Sequence, residues 1–136
     1  MTEVKDFGPA PFVANIETST LGNENYRTAL WTGKNLQVTL MTIQPHDDIG
    51  LEVHADHDQF LRIEQGEATV YMGPTETELA TWKATDDDAV IVPAGTWHNL
   101  VNTGNSPLKL YSIYAPPEHD HGTVHITKGD ADAAEA

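Results

Sequence analysis

The sequence predicts an all-β protein, a sandwich or barrel of roughly ten short strands. Three observations carry that expectation. Helical periodicity is nearly absent from the middle of the chain. Runs rich in β-branched and aromatic residues recur there, at ~8–12-residue spacing. Turn residues separate the runs, and no segment between them has the pattern of a crossover helix, which argues against a parallel α/β sheet.

The elements follow in order. Phe12–Ile16 is a possible first strand, and Tyr26–Trp31 a second, followed by the turn Thr32-Gly33-Lys34-Asn35. Leu36–Ile43 alternates as a half-buried strand should, which puts Leu36, Val38 and Leu40 on one side. Pro45 to Gly50 is a loop, Leu51–His54 a short strand, and Ala55-Asp56-His57 a short connection. Gln59–Glu64 ends at Gln65-Gly66, Ala68–Met72 at Gly73-Pro74, and Leu79–Ala84 at the acidic run Asp86-Asp87-Asp88. Ala89–Val92 leads into Pro93-Ala94-Gly95, Trp97–Asn102 into Gly104-Asn105-Ser106-Pro107, and Leu108–Tyr114 into Pro116-Pro117. From about Glu118 the chain turns polar and ends in an Ala- and Asp-rich stretch with at most one helical turn. The expected organisation is an N-terminal arm over 1–11, a barrel over 12–117 and a polar C-terminal tail over 118–136.

Composition narrows the function. The 136 residues fit one domain with a real core. With 21 Asp plus Glu against 7 Lys plus Arg, the net charge of −14 repels a phosphate backbone or an anionic lipid surface. Nucleic-acid and membrane partners are therefore not expected. The absence of cysteine excludes disulfides, zinc knuckles, iron–sulfur clusters and a thiol nucleophile. No apolar run reaches the ~20 residues of a transmembrane helix. Met1 to Pro11 carries acids and prolines where a secretory signal needs a basic and then an apolar stretch. A cytoplasmic location is the expectation. There is no G-x-S-x-G elbow, phosphate loop or dinucleotide fingerprint.

The chemistry-bearing residues are the seven histidines and their neighbours. Glu52 and His54 are two apart on a short strand, so their side chains share a face, as a metal site on a sheet requires. Gln59 begins the next strand and can return to that face, and His98 follows the Pro93-Ala94-Gly95 turn far along the chain. His57 is the rival to Gln59 if the junction between the strands bulges. His46 lies in a polar loop and is expected in solvent, and His119, His121 and His125 of the tail are expected to be exposed or docked. Trp97, Tyr111, Tyr114, Phe60 and Met41 are candidates for a pocket lining, with ordinary core as the plainer reading. Arg62 and Glu64 read as a surface or interface ion pair worth little.

These residues resemble the cupins. Pro93-Ala94-Gly95-Thr96-Trp97-His98-Asn99-Leu100-Val101-Asn102 fits the core of the second cupin motif, P-x-G-x-x-H-x-x-x-N, at every specified position, although Asp87 stands where its leading Gly is expected. The first motif, G-x5-H-x-H-x3–4-E-x6-G, is matched through His54 and Gly66, with Gln59 at the Glu position, Glu52 at the first His and His46 at the opening Gly. The runs from Gly50 to His54, Asp58 to Glu67, Pro107 to Tyr111, Ala115 to His119 and Gly122 to His125 look like those of small stand-alone cupins. The resemblance runs from about Phe12 to Lys128 and implies a double-stranded β-helix, a jelly-roll barrel with a metal at its centre, and a homodimer. An N-terminal strand around Phe12–Ile16 pairing across the dimer is a further expectation.

The ligand set that follows is Glu52, His54, Gln59 and His98. It keeps the single negative charge of the family's three-His, one-Glu site, because the carboxylate has moved rather than vanished. Imidazole and oxygen donors suit one divalent Zn, Mn, Fe, Ni or Co. The alternative is a metal-free barrel in which the same groups hydrogen-bond one another. Three functions are open: a metal-dependent enzyme on a small organic molecule (dioxygenase, isomerase or lyase), with Glu52 as ligand or general base; a binding or sensing protein without turnover; and a metal-free structural or interaction module.

Overall fold

In the computed structural model, which describes residues 5–135, nine strands and two short helices are formed. The first four residues of the expected arm and Ala136 of the tail lie outside the described residues. The elements are α1 (Ile16–Gly22), β1 (Arg27–Thr32), β2 (Gln37–Ile43), β3 (Asp58–Gln65), β4 (Ala68–Thr75), β5 (Glu78–Ala84), β6 (Ala89–Val92), β7 (Trp97–Asn102), β8 (Leu108–Ala115), β9 (Val124–His125) and α2 (Lys128–Glu135). They build a six-stranded sheet in the order β6-β3-β8-β2-β1-β9 and a three-stranded sheet in the order β5-β4-β7. Every pairing is antiparallel, and the two sheets enclose one interior, as the all-β jelly-roll reading requires.

Strand register sorts that interior along its length. Ile43 pairs with Leu108, Met41 with Leu110, Thr39 with Ser112 and Gln37 with Tyr114. Ile63, Leu61 and Gln59 of β3 continue those rows opposite Leu110, Ser112 and Tyr114. One end of the barrel is thus filled by Ile43, Ile63, Leu108 and Leu110, with Val70 and Leu100 from the other sheet. Burial of each such large side chain contributes roughly 1.5–3 kcal/mol. The other end is polar and buried: Gln37, Gln59, Ser112 and Tyr114. Convergent polar groups mark that end as the candidate site. Gly66 closes β3 at φ +105°, and a Cβ there would meet Leu108 Cα at 3.1 Å, so glycine is required on both counts.

Four expectations are corrected. Phe12–Ile16 is not a strand: Asn15 caps α1 by accepting from Thr18 N–H at 2.9 Å, and Val13 before it is exposed. A strand pairing across a dimer therefore has no counterpart there. In β2 the innermost column is Gln37, Thr39, Met41 and Ile43, while Leu36 is exposed. The polar residues of this strand face inward because the barrel's interior is partly polar, which inverts the usual pattern. Leu51–His54 makes one bridge, Glu52 to His98, rather than a strand. The C-terminal segment holds more than one helical turn and adds to the sheet past residue 117: α2 runs over Lys128–Glu135 with Ala131 buried in the core, and β9 pairs with β1.

Candidate metal centre

Two loops deliver the site. Pro93 to Thr96 form a tight turn in which Thr96 N–H donates to Pro93 C=O at 3.1 Å, with Gly95 at φ +80°, as the third residue of a type II turn must be. Ala94 N–H donates to Asp58 Oδ1 at 2.9 Å, and Gly95 N–H to His54 C=O at 2.8 Å, so the turn is tied to both ends of the 54–58 connection. β7 leaves this turn with His98 facing inward. Glu52 and His98 exchange two backbone hydrogen bonds, at 3.0 and 2.9 Å, which makes their side chains cross-strand neighbours on one face.

The side chains then converge. His54 Nε2 and His98 Nε2 both approach Glu52 Oε1, at 3.3 and 3.4 Å. The His54 and His98 rings lie 5.5 Å apart. His98 is 2% exposed, and its Nδ1 sits 3.1 Å from Thr96 C=O. A carbonyl only accepts, so Nδ1 donates there and Nε2 is the nitrogen turned toward Glu52, a donor to the carboxylate when protonated and a metal ligand when not. That Nε2 is buried without a well-aligned hydrogen-bond partner. Two ligands on one ion at ~2.0–2.2 Å lie roughly 3.0–3.5 Å apart. The separations at Glu52 fall in that range, so the residues fit a metal ion.

Burial pushes the Glu52 carboxyl upward, but hydrogen bonds and positive charge from His54 and His98 outweigh it and hold the group down at about 2. Gln59 is 2% exposed and faces the same interior in the row with Tyr114. Its Nε2 donates to Ser112 Oγ at 2.9 Å, and its Oε1 is buried without a partner. An amide so anchored leaves its oxygen as the free donor. His57 packs its ring 5.7 Å from His54 and turns Nε2 toward Pro117 C=O (3.1 Å) and Glu118 (3.5 Å).

Glu118 is the site residue that sequence reasoning missed. Its Oε2 lies 3.3 Å from His54 Nδ1, on the opposite edge of the ring from Glu52. A carboxylate there orients the imidazole and strengthens its other nitrogen as a donor. Glu118 arrives because buried Gln37 accepts from the backbone N–H of Glu118 (3.3 Å) and His119 (2.9 Å) and donates to His119 C=O (2.8 Å). The only sequence sign was an acid directly after the Pro116-Pro117 pair, where the last core strand ends. Glu118, His54 and His57 form a second group with metal-compatible spacing. Of the other residues singled out, His46 is exposed, and Tyr114 and Met41 line the interior. Phe60 and Tyr111 pack together at 6.3 Å on the outer face, alternating with the inward-facing Gln59, Leu61, Leu110 and Ser112. Glu64, expected at the surface, has a side chain only 2% exposed.

A double-sheeted antiparallel barrel with a histidine–carboxylate cluster at its polar end defines a cupin, and the chain belongs to that family: residues 39–114 match the cupin domain model. Over 133 residues it is 61% identical to the uncharacterized protein YrkC of Bacillus subtilis, covering 97% of this chain and 72% of that protein. It also superposes on the crystal structure of BH2720 from Bacillus halodurans with a TM-score of 0.94 at 60% identity, covering 96% of this chain and 99% of the other. A more distant likeness, to an oxalate decarboxylase of Lactobacillus farciminis in complex with formate, has a TM-score of 0.58 at 20% identity, covering 65% of this chain and 26% of that one. That likeness is one of fold. No helix among the described residues is long and apolar enough to cross a membrane.

Proposed function

We propose that this cupin binds one divalent transition metal through Glu52, His54 and His98, with Gln59 Oε1 completing the set, and acts there on a small organic molecule. The observation that carries the reading is the convergence of two imidazole nitrogens on one carboxylate oxygen, with His98 Nε2 otherwise unpartnered. A bound ion supplies a Lewis acid able to polarise a carbonyl or carboxylate oxygen. The protein's part is to orient the donors. Thr96 C=O fixes the His98 tautomer, Glu118 aligns His54, and Ser112 turns the Gln59 oxygen inward. In this reading Glu52, between two imidazoles, serves as a ligand rather than as a general base. The contacts of His57 with Pro117 and Glu118 support a role for it beside the centre rather than as a ligand. The ion is Zn, Mn, Fe, Ni or Co, all compatible with mixed nitrogen and oxygen donors.

A second reading is a binding or sensing cupin without turnover. The neutral Gln59 amide favours it, because it leaves one fewer ionisable group for proton transfer. Calorimetric titration of Mn, Fe, Ni, Co and Zn into chelator-stripped protein tests the centre. The expected order of loss is His98→Ala, abolishing binding, then Gln59→Ala, weakening it, with His57→Ala near wild type. Weak binding by His57→Ala together with wild-type binding by Gln59→Ala would instead make His57 the ligand. Turnover of carbonyl or carboxylate compounds by loaded protein, absent in His98→Ala, separates the enzyme from the sensor.

A further inference from the structure

Arg27 is a buried cation with no carboxylate in ion-pair range among the described residues. It lies on β1 opposite Met41 of the interior column and opposite His125 of β9, so its side chain enters the barrel, where the residue is only 5% exposed. Its Nη1 sits 3.0 Å from His125 Nδ1, and its guanidinium lies 5.3 Å over the Tyr26 ring. Its Nε is buried without a hydrogen-bond partner. None of the ion pairs among the described residues involves it, in a chain with 21 acidic residues. A guanidinium cannot shed its proton, and leaving a buried charge unpaired costs several kcal/mol. An anion arriving from outside would offset that cost.

The surroundings agree. His119 Nε2 and Thr39 Oγ1 are also buried without partners. Burial, with the positive charge of Arg27, pushes His119 down to about 3, so its imidazole is neutral and has a donor to offer. The His119 ring packs 6.4 Å from His125 on one side and 5.3 Å from Tyr114 on the other, and Tyr114 in turn packs 6.0 Å from His54. A continuous line of polar rings therefore joins Arg27 to the candidate metal centre.

We infer that Arg27, flanked by His119 and His125, is a carboxylate subsite, and that the ligand of this cupin is a small organic acid whose carboxylate is held there while its other end faces Glu52, His54 and His98. The guanidinium's fork matches a carboxylate bidentately, which a neutral or cationic ligand would not satisfy. The identity of the far end rests on the metal reading above, whereas the anion subsite does not.

Malonate and its neutral diamide, titrated calorimetrically into chelator-stripped and metal-loaded protein, test the inference. Malonate binding to both forms, with no binding of the diamide to the stripped form, is the expected result. Arg27→Gln should weaken malonate by about tenfold or more in the stripped form, and Arg27→Lys by less, since a charge-assisted hydrogen bond contributes roughly 1.5–3 kcal/mol. Equal binding of malonate and diamide to the stripped wild type overturns the subsite without recourse to any variant. So does wild-type affinity in a folded Arg27→Gln, or displacement of malonate by equimolar sulfate. Malonate binding to a protein that takes up no metal leaves the subsite standing and removes only the metal reading.

Discussion

At Gln59 an amide oxygen stands where the family pattern has a carboxylate, and its Nε2 is already committed to Ser112. On the proposed ligand set the centre would hold an ion with one charge, that of Glu52. Gln59→Glu should raise metal affinity by about tenfold or more, since each 1.4 kcal/mol gained is a factor of ten. Competition titration against a chelating dye reads the change, and unchanged affinity would place Gln59 outside the ligand set. At this scale His54 and His98 were legible because the P-x-G-x-x-H spacing encodes a turn that Gly95 alone can make at φ +80°. Glu118, His119 and Arg27 were not. Their places depend on Gln37 hydrogen-bonding a segment 81 and 82 residues away and on Arg27 reaching a histidine 98 residues away. No local spacing carries such information.

Among the elements, the arm, β1 and the C-terminal segment meet at Asp6. Its buried carboxylate accepts from Gly8 N–H (2.9 Å), Thr32 N–H (3.0 Å), the Thr32 hydroxyl and Gly122 N–H (2.9 Å). Asp6→Asn should cost about 1–3 kcal/mol, because buried donors lose a charged acceptor. Burial raises this carboxyl, but the hydrogen bonds from Thr32, Gly122 and Gly8, with the nearby His121, outweigh it and leave the group below the ordinary 3.8. The folded state thus binds the proton less readily than the unfolded chain does. The stabilisation is fully present above pH 3.8 and is lost as the pH falls from there through the lower folded value. Urea denaturation of both proteins should show their difference shrinking below about pH 4, and a constant difference would contradict the assignment.

Lys109 has a comparable role at the other side of the barrel. Its buried ammonium donates to the carbonyls of Leu21 (2.9 Å) and Asn23 (2.7 Å), where α1 ends, and to Glu24 (3.1 Å). Lys109→Met should lower stability by about 2–3 kcal/mol by orphaning those carbonyls, measured by the same denaturation. The strand pattern of β3, β7 and β8 was readable from alternation and turns. α1 was masked because Phe12 to Ile16 has strand-like composition and its start signal is a single Asn15 cap. The inward face of β2 was misread because hydrophobicity marks the inside only where the interior is apolar, and Gln37 and Thr39 serve a polar end.

For the molecule as a whole, the net charge of −14 is carried by a single barrel, so self-repulsion opposes the compact state. The melting temperature should rise when salt is increased from low to physiological concentration, as exposed carboxylates are screened over a Debye length that shortens to about 8 Å. Insensitivity to salt in differential scanning calorimetry would mean that the acidic groups are too dispersed to matter. A homodimer of the 14.9 kDa chain remains the expectation from the family, and light scattering reads it directly. The overall fold was the most legible level, since turn spacing and the second motif both point to the barrel. What the barrel holds is the central question. The deciding measurement is metal content per chain, by plasma mass spectrometry, on protein purified without chelator and after reconstitution, with His98→Ala alongside. The account predicts close to one transition-metal ion per wild-type chain and almost none in the variant. Metal-free wild type after reconstitution, or equal metal in both proteins, would contradict it.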